Sequence, residues 1–421
     1  MMRSLYLCYF GLREPLVQTQ VLPYLRQLSR SGIEVGLLTF EPNRRASWSR
    51  SEAGDWCDRL QADGIRWFSL PYHKRPSLPA TTYDIAVGGW MAARLVRRHG
   101  YDVVHARAHV AAAMGAIAKR LTGCRLIFDI RGFNPEEYVD AGVWPENGLN
   151  YRLAKRVERR LLSTADGFVV LTEKARDILF PGCSDSDRKR RPVEVIPCCV
   201  DLDRFEAAAA LPREQIRRAL GVAGRRVLVY VGALGGFYLT EEMAELLAAA
   251  HRQDASTFSV ILTQSRPELI VESLKRLGVP KDAYLVRRVP HHEVPEYLRA
   301  ADIGLSFIKP SYSKLASSPT KIAEYLASGL PIICNAGIGD LDVLIEGDRV
   351  GVLVRELNAG HYENALRRVD GLLREGQVSS RCRASAVSRF DLESIGGERY
   401  CRLYHRLLGS PEHALAGAVD R

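Results

Sequence analysis

Short runs rich in Val, Ile and Leu alternate, along the whole chain, with longer segments whose apolar positions recur every three or four residues. The short runs predict strands and the longer segments predict amphipathic helices. In the first half the expected strands are Leu5–Tyr9, Glu34–Phe40, Val103–Ala106, Leu126–Ile130, Phe168–Leu171 and Val193–Ile196. Helices are expected between them at Val17–Arg30, Val110–Leu121, Tyr151–Ser163 and Glu173–Leu179. In the second half strands are expected at Val227–Val231, Ser259–Thr263, Tyr284–Val286, Ile303–Phe307, Pro331–Cys334 and Gly351–Val354. Helices there are Glu241–Ala250, Glu268–Leu277, Val294–Arg299, Pro319–Ser328 and Glu363–Arg374, with a helical pattern again from Ser379 to about Leu408. Strands that are apolar on both faces and separated by helices imply parallel sheets covered on both sides. The pattern occurs twice, so the fold class is α/β with two doubly wound, Rossmann-like domains. Right-handed crossovers then put ligands at the carboxyl ends of the strands.

The irregular stretch Ile196-Pro197-Cys198-Cys199-Val200-Asp201 marks the boundary, giving domains over 1–200 and 201–390 and a terminal segment over 391–421. The polar stretch Gly182–Arg191 reads as a surface loop. A length of 421 residues is comfortable for two domains of about 200. Hydrophobic content of 47% and charged content of 26% are those of a soluble globular protein. No run approaches the ~18 apolar residues that span a bilayer. The apolar start is broken by Arg13 and Glu14, which argues against a signal peptide. Nine cysteines without a C-x-x-C pair read as reduced thiols, hence a cytoplasmic protein.

Charge changes the picture further. Residues 1–200 carry 30 Lys and Arg against 21 Asp and Glu, whereas residues 201–421 carry 29 against 28. The net +10 therefore belongs mostly to the first half. Such a field suits a phosphorylated acceptor, an acidic membrane surface or nucleic acid; a plain Arg-rich surface is the competing reading. Arg152, Lys155, Arg156, Arg159 and Arg160 on one helix, and Arg94, Arg97 and Arg98 near Trp90, suit peripheral docking on anionic lipid or are simply solvated faces.

The most informative segment is Ser317-Ser-Pro-Thr-Lys-Ile-Ala-Glu-Tyr-Leu-Ala-Ser-Gly-Leu-Pro-Ile-Ile-Cys-Asn335. Ser318 suits an N-cap with Pro319 at the first helical position, and Gly329 with Pro331 stops the helix. Ile322 and Leu326 face a core, while Lys321, Glu324 and Ser328 form another stripe. The helix N-terminus attracts anions, so Ser318, Thr320 and Lys321 suit a phosphate and Glu324 suits ribose hydroxyls. Spacing alone leaves open a surface Lys–Glu pair. The turn Val231-Gly232-Ala233-Leu234-Gly235-Gly236, after the first candidate strand of the second domain, can bring backbone N–H groups of Gly232, Gly235 and Gly236 to a diphosphate.

The wording of 317–335 resembles the donor-site signature of retaining GT-B glycosyltransferases of family 4, the glycosyl transferases group 1. The resemblance covers about residues 4–400. It extends to Glu14-Pro-Leu-Val-Gln-Thr-Gln-Val-Leu-Pro-Tyr-Leu25, and to the Val-Asp-Leu-Asp-Arg-Phe205 that closes the first domain. It implies two domains facing a cleft, an acceptor-side first domain, a nucleotide-sugar-binding second domain, and a terminal helix crossing back to the first. It places Gly11, Glu14 and Gln18 beside the acceptor, with His105 and Arg107 at the end of one strand. At the end of the next strand, where many members of that family carry a histidine, this chain has Asp129 and Arg131: with Glu324 they are the candidate catalytic residues, Arg131 for the diphosphate or the acceptor and Asp129 to orient it, unless they are a buried pair supporting the loop. Two further departures stand out: neither the Arg nor the Lys that usually flanks the glycine turn is present, and Ala316 replaces a glutamate eight residues before Glu324. Lys309, Lys314 and Arg131 are candidate replacements for the charge.

The implied reaction moves a hexose from a nucleotide-sugar to a hydroxyl of a saccharide or lipid-linked acceptor, with retention. Cell-surface polysaccharide or glycoconjugate synthesis is the implied setting, in the cytoplasm or at the inner membrane face. No cofactor, metal or nucleic acid is expected. Asp-x-Asp occurs at Asp185–Asp187, Asp201–Asp203 and Asp340–Asp342, but the first adjoins Arg188–Arg191, the second lies at the boundary and the third suits a helix cap. A nucleotide-sugar epimerase on the same fold, and a catalytically degenerate nucleotide-sugar-binding scaffold, stay open as alternatives.

Overall fold

The computed structural model describes residues 2–42, 48–75, 77–182 and 191–409. The chain forms two compact units: one from the N-terminus to Ile196 together with the segment from Glu393, and one from Pro197 to Leu392. Asp185–Asp187, Arg188–Arg190 and the tail after Gly409 lie outside the described residues.

The first unit is a seven-stranded parallel sheet made of β1 (Arg3–Cys8), β2 (Glu34–Pro42), β3 (Ile65–Tyr72), β4 (Val103–Arg107), β5 (Arg125–Asp129), β6 (Gly167–Val170) and β7 (Val193–Val195). Its order is β3-β2-β1-β4-β5-β6-β7. Leu5 pairs with Gly36 on one side and Val104 on the other, so the strand order reverses at β1 and β4. Leu5, Leu7, Leu37, Leu38, Val103, Val104, Leu126, Ile127 and Phe128 are buried, because consecutive residues face opposite covered sides.

Three elements here were not expected from the sequence. β3 carries Pro71 and buries fully only Ile65 and Leu70, which is how an edge strand reads. The helix before it, Arg50–Ala62, buries only Leu60. The helix Ser77–His99 is interrupted in sequence by Gly88 and Gly89. Those glycines permit close helix packing: a Cβ on Gly88 would lie 2.7 Å from Met114 Sδ, and one on Gly89 2.8 Å from Ile117 Cβ. The expected helix Val17–Arg30 is two helices, Pro15–Gln20 and Leu22–Arg30, broken at Val21 where φ is −125° and ψ is −64°.

The terminal helix Glu398–Leu408 packs within this first unit. Tyr400, Leu403 and Tyr404 are buried, Tyr404 Oη lies 2.7 Å from Ser4 Oγ, and Arg402 and Arg406 both pair with Glu194.

The second unit is a six-stranded parallel sheet: β8 (Val227–Val231), β9 (Phe258–Leu262), β10 (Tyr284–Arg287), β11 (Ile303–Ser306), β12 (Ile332–Asn335) and β13 (Gly351–Val354), in the order β10-β9-β8-β11-β12-β13. The order reverses between β8 and β11. The helix Thr320–Ala327 connects β11 to β12 and is fixed by one side chain. Tyr325 Oη accepts the Val231 N–H at 2.9 Å and donates to the Leu305 carbonyl at 3.1 Å, bridging β8 and β11. Gly304 makes room for it, since a Cβ there would stand 2.5 Å from the Tyr325 ring.

Two glycine substitutions separate these roles. Gly304→Ala should destabilise the protein by roughly 1–3 kcal/mol through overpacking. Gly371→Ala, in the helix Ala359–Arg374 with no atom within 4 Å of the added Cβ, should leave stability unchanged or raise it by about 0.5–1 kcal/mol. Thermal unfolding of both variants checks this; equal melting temperatures would contradict the packing account.

Candidate functional site

At the switch point of the second unit, the helix Thr320–Ala327 brings its polar residues inward. Pro319, not Ser318, occupies the N-cap position, and it has no side-chain acceptor. The Ser318 hydroxyl is used elsewhere, accepting the Cys198 N–H at 3.1 Å. Thr320 is the first helical residue and is half-buried. The polar stripe is not a solvent face: Lys321 is 7% exposed and Glu324 5%, hardly more than their apolar neighbours.

Lys321 runs beneath the turn that follows β8. Its Nζ lies 4.0 Å from the centre of the Tyr230 ring and 4.7 Å from that of Tyr238, a cation–π cage. Its ammonium is buried and meets no hydrogen-bond acceptor among the described residues. Gly232 creates the space, with φ at 147° and a would-be Cβ only 2.7 Å from Nζ. Burial pushes the Lys321 pKa down to about 7 from 10.5, against the opposing pull of Glu324. A shift of that size corresponds to about 5 kcal/mol against the charged form.

The glycine turn itself is already partly bonded. Leu234 N–H donates to Ser265 Oγ at 2.9 Å, and Gly235 N–H to Thr240 Oγ1 at 2.9 Å. Gly235 and Gly236 take left-handed φ values of 75° and 62°. The turn therefore offers a diphosphate fewer N–H donors than its glycines suggest, which shifts weight onto Lys321. Lys314 is buried with Nζ 3.9 Å from the centre of the Phe237 ring, while Lys309 is exposed.

Glu324 has a partner that sequence reasoning missed. His291 Nε2 lies 3.1 Å from Glu324 Oε1, and Arg204 Nη2 lies 3.0 Å from His291 Nδ1. His291 and Arg204 sit far from Glu324 in sequence, so no local spacing signals them. Tyr230 and Tyr238 were likewise indistinguishable from core aromatics.

In the first unit the ends of β4 and β5 form a buried charged knot. Asp129 and His105 are fully buried and Arg107 is 4% exposed. Asp129 Oδ2 lies 3.6 Å from Arg107 Nη1, and Oδ1 lies 3.4 Å from Arg131 Nη1. Tyr400 Oη donates to Asp129 Oδ2 at 3.2 Å and Tyr6 Oη at 3.4 Å. Burial raises the Asp129 pKa, but Arg131, then His105 and Arg107, outweigh it and hold the carboxyl well below the usual range. His105 Nε2 is 3.8 Å from Asp129, beyond hydrogen-bond length, so that coupling is electrostatic. Burial pushes the His105 pKa down, keeping the ring neutral, and Tyr404 Oη meets its Nδ1 at 2.9 Å.

The loop after β1 places Gly11 against Glu41 and Pro42, each 3.0 Å from a would-be Cβ. Glu14 is exposed, and the Gln18 amide donates to the Leu12 carbonyl at 2.6 Å. Buried Glu41, not singled out from the sequence, accepts from Leu12 N–H at 2.9 Å and from Trp48 Nε1 at 3.1 Å. Glu136 and Glu137 lie on the helix Asn134–Asp140, and Glu136 is tied to Lys155 at 2.9 Å. Among the described residues no three His, Cys, Asp or Glu side chains gather as a metal site, and no helix is long and apolar enough to cross a membrane.

The family described as "Glycosyl transferase 4-like domain" matches residues 17–199, and "Glycosyl transferases group 1" matches residues 225–369. The chain is 30% identical over 181 residues to a putative teichuronic acid biosynthesis glycosyltransferase, TuaC, of Bacillus subtilis, a match covering 42% of this chain and 41% of that protein. It is 24% identical over 410 residues to a D-inositol 3-phosphate glycosyltransferase of Catenulispora acidiphila, covering 94% of this chain and 90% of that one. Anabaena HepE in complex with UDP and glucose superposes with a TM-score of 0.66 at 16% identity, covering 96% of this chain and 99% of that one.

The depressed Lys321 pKa makes the ligand-free protein sensitive to pH. Its folded pKa of about 7 lies below the unfolded 10.5, so the unfolded state binds more protons in between. Stability should therefore rise with pH from 7 towards 10. The melting temperature of the wild type relative to Lys321→Met should climb across that window; a constant difference would contradict a desolvated ammonium.

Proposed function

The chain belongs to the glycosyl transferases group 1 family, and from that premise we propose that the second unit of this glycosyltransferase holds a nucleotide-sugar donor and the first an acceptor hydroxyl. The observation that carries the donor reading is the unpartnered Lys321 ammonium under the Gly232 turn, three residues from a buried carboxylate. A diphosphate gives that ammonium the anion it lacks, and Glu324 takes hydrogen bonds from the ribose. The relatives' printed names, for teichuronic acid biosynthesis and D-inositol 3-phosphate, favour a saccharide or phosphate-bearing acceptor. The HepE complex favours a uridine nucleotide with a hexose.

Leaving-group charge is met by Lys321 and the helix end at Thr320, without a resident metal. Activity that survives EDTA is the expected result; activity restored by a divalent cation would overturn this part. Asp129 is saturated by Arg107, Arg131, Tyr6 and Tyr400, so it orders the acceptor side rather than attacking the sugar. Retention of configuration rests on the resemblance at residues 317–335, and the anomeric proton coupling of the product tests it. Glu324→Ala should lower kcat/KM at least a hundredfold with the melting temperature little changed. Near wild-type turnover in that variant would remove the ribose contact from the account.

The acceptor is proposed to be lipid-linked and met at the cytoplasmic membrane face. The helix Leu149–Thr164 exposes Leu149, Leu153 and Val157 at successive turns, flanked by exposed Arg152, Arg156, Arg159 and Arg160. A groove of about 390 Å³ lined by Trp90, Arg94, Arg97, Arg98 and Leu121 lies in the same unit. Apolar side chains among arginines suit an anionic bilayer. Co-sedimentation with vesicles of phosphatidylglycerol and phosphatidylcholine should be lost in Leu153→Glu/Arg156→Glu; binding that ignores these changes would relocate the contact.

A further inference from the structure

We infer that Arg204 and His291 are positioning residues for Glu324, setting the orientation in which its carboxylate receives a ribose; this rests on the donor reading above. The argument begins with proton inventory. A guanidinium has only donors. Arg204 Nη2 lies 3.0 Å from His291 Nδ1 and also donates to the His291 carbonyl at 3.2 Å. His291 Nδ1 is therefore an acceptor, and the ring's proton sits on Nε2. That N–H points to Glu324 Oε1 at 3.1 Å. The chain of donors runs one way, from guanidinium to imidazole to carboxylate, and fixes the tautomer.

The three residues come from separate elements. Arg204 lies on the helix Leu202–Ala209, His291 on the 3-10 turn His291–Glu293, and Glu324 on the helix Thr320–Ala327. Glu324 is almost wholly buried, and His291 is its hydrogen-bonded side-chain partner among the described residues. A carboxylate with one oxygen occupied presents the other to a hydroxyl in a fixed direction. Without His291, the carboxylate gains rotational freedom and must be reordered each time a nucleotide binds. The His291 side chain is 36% exposed, so it can sit at the edge of a bound sugar while still reaching the glutamate.

The test reads hydroxyl recognition rather than fold. Affinities of UDP, GDP and ADP, each beside its 2′,3′-dideoxy counterpart, are measured by calorimetry for the wild type, Glu324→Ala, His291→Ala and His291→Gln. The wild type should prefer one ribonucleotide over its dideoxy form by tenfold or more, and Glu324→Ala should abolish that preference. His291→Ala should cut the preference to threefold or less, while His291→Gln, whose amide can still donate to Glu324, should restore most of it. If His291→Ala keeps the full preference, the inference is wrong and the ribose reading stands. If the wild type shows no preference, or binds none of the three, the ribose reading falls and takes this inference with it. Should His291→Ala fail to fold, long-range proton–nitrogen correlation on the wild type decides: a neutral ring protonated on Nε2 supports the relay, and protonation on Nδ1 overturns it.

Discussion

A lysine ammonium that is buried, without a hydrogen-bond acceptor among the described residues and wedged between two tyrosine rings, is the constraint around which the second unit is organised. Isolated buried charge is expensive, and proteins normally neutralise or pair it. Here burial disfavours the charged form, and the surroundings offset that only in part. Gly232 gives up its Cβ so that Nζ has somewhere to lie, and Tyr230 and Tyr238 supply ring faces. Tyr325 pins the helix that carries Lys321 to β8 and β11. The position is the reversal of strand order, where a doubly wound sheet opens towards ligands. A cation kept unsatisfied there is stabilised by whatever anion arrives.

The first unit handles charge in the opposite way. Asp129 is surrounded by two guanidiniums, an imidazole and two phenols, which hold its carboxyl well below the usual range against the effect of burial. The terminal helix supplies Tyr400 and Tyr404 to this knot and is anchored by two arginines on Glu194. The C-terminal segment is thus part of the packing at the carboxyl ends of β4 and β5. The knot holds more positive than negative charge, which agrees with the basic balance of residues 1–200.

Most of the sheet was legible because buried parallel strands are uniformly apolar. β3 escaped because an edge strand with Pro71 lacks that signature, and the helix Ser77–His99 because Gly88 and Gly89 imitate a break. Lys321 and Glu324 were legible because they share a helix. Their environment was not: spacing alone left a surface Lys–Glu pair open whereas both residues are buried, and the N-cap belongs to Pro319 rather than Ser318. Arg204 and His291 could not be found from spacing, since they lie 87 residues apart and His291 lies 33 from Glu324. The glycines after β8 suggested free N–H groups, but the Leu262 carbonyl takes that of Gly232 and the Thr240 hydroxyl that of Gly235.

If a phosphate is what Lys321 awaits, binding must return a proton to it. Calorimetric titration of UDP, GDP and ADP at pH 8, in buffers of different ionisation enthalpy, measures that proton directly. With a free pKa of about 7, the wild type should take up close to one proton per bound nucleotide, and Lys321→Met none. Binding without proton uptake in the wild type, or equal uptake in both proteins, would contradict the claim that this ammonium meets the phosphates.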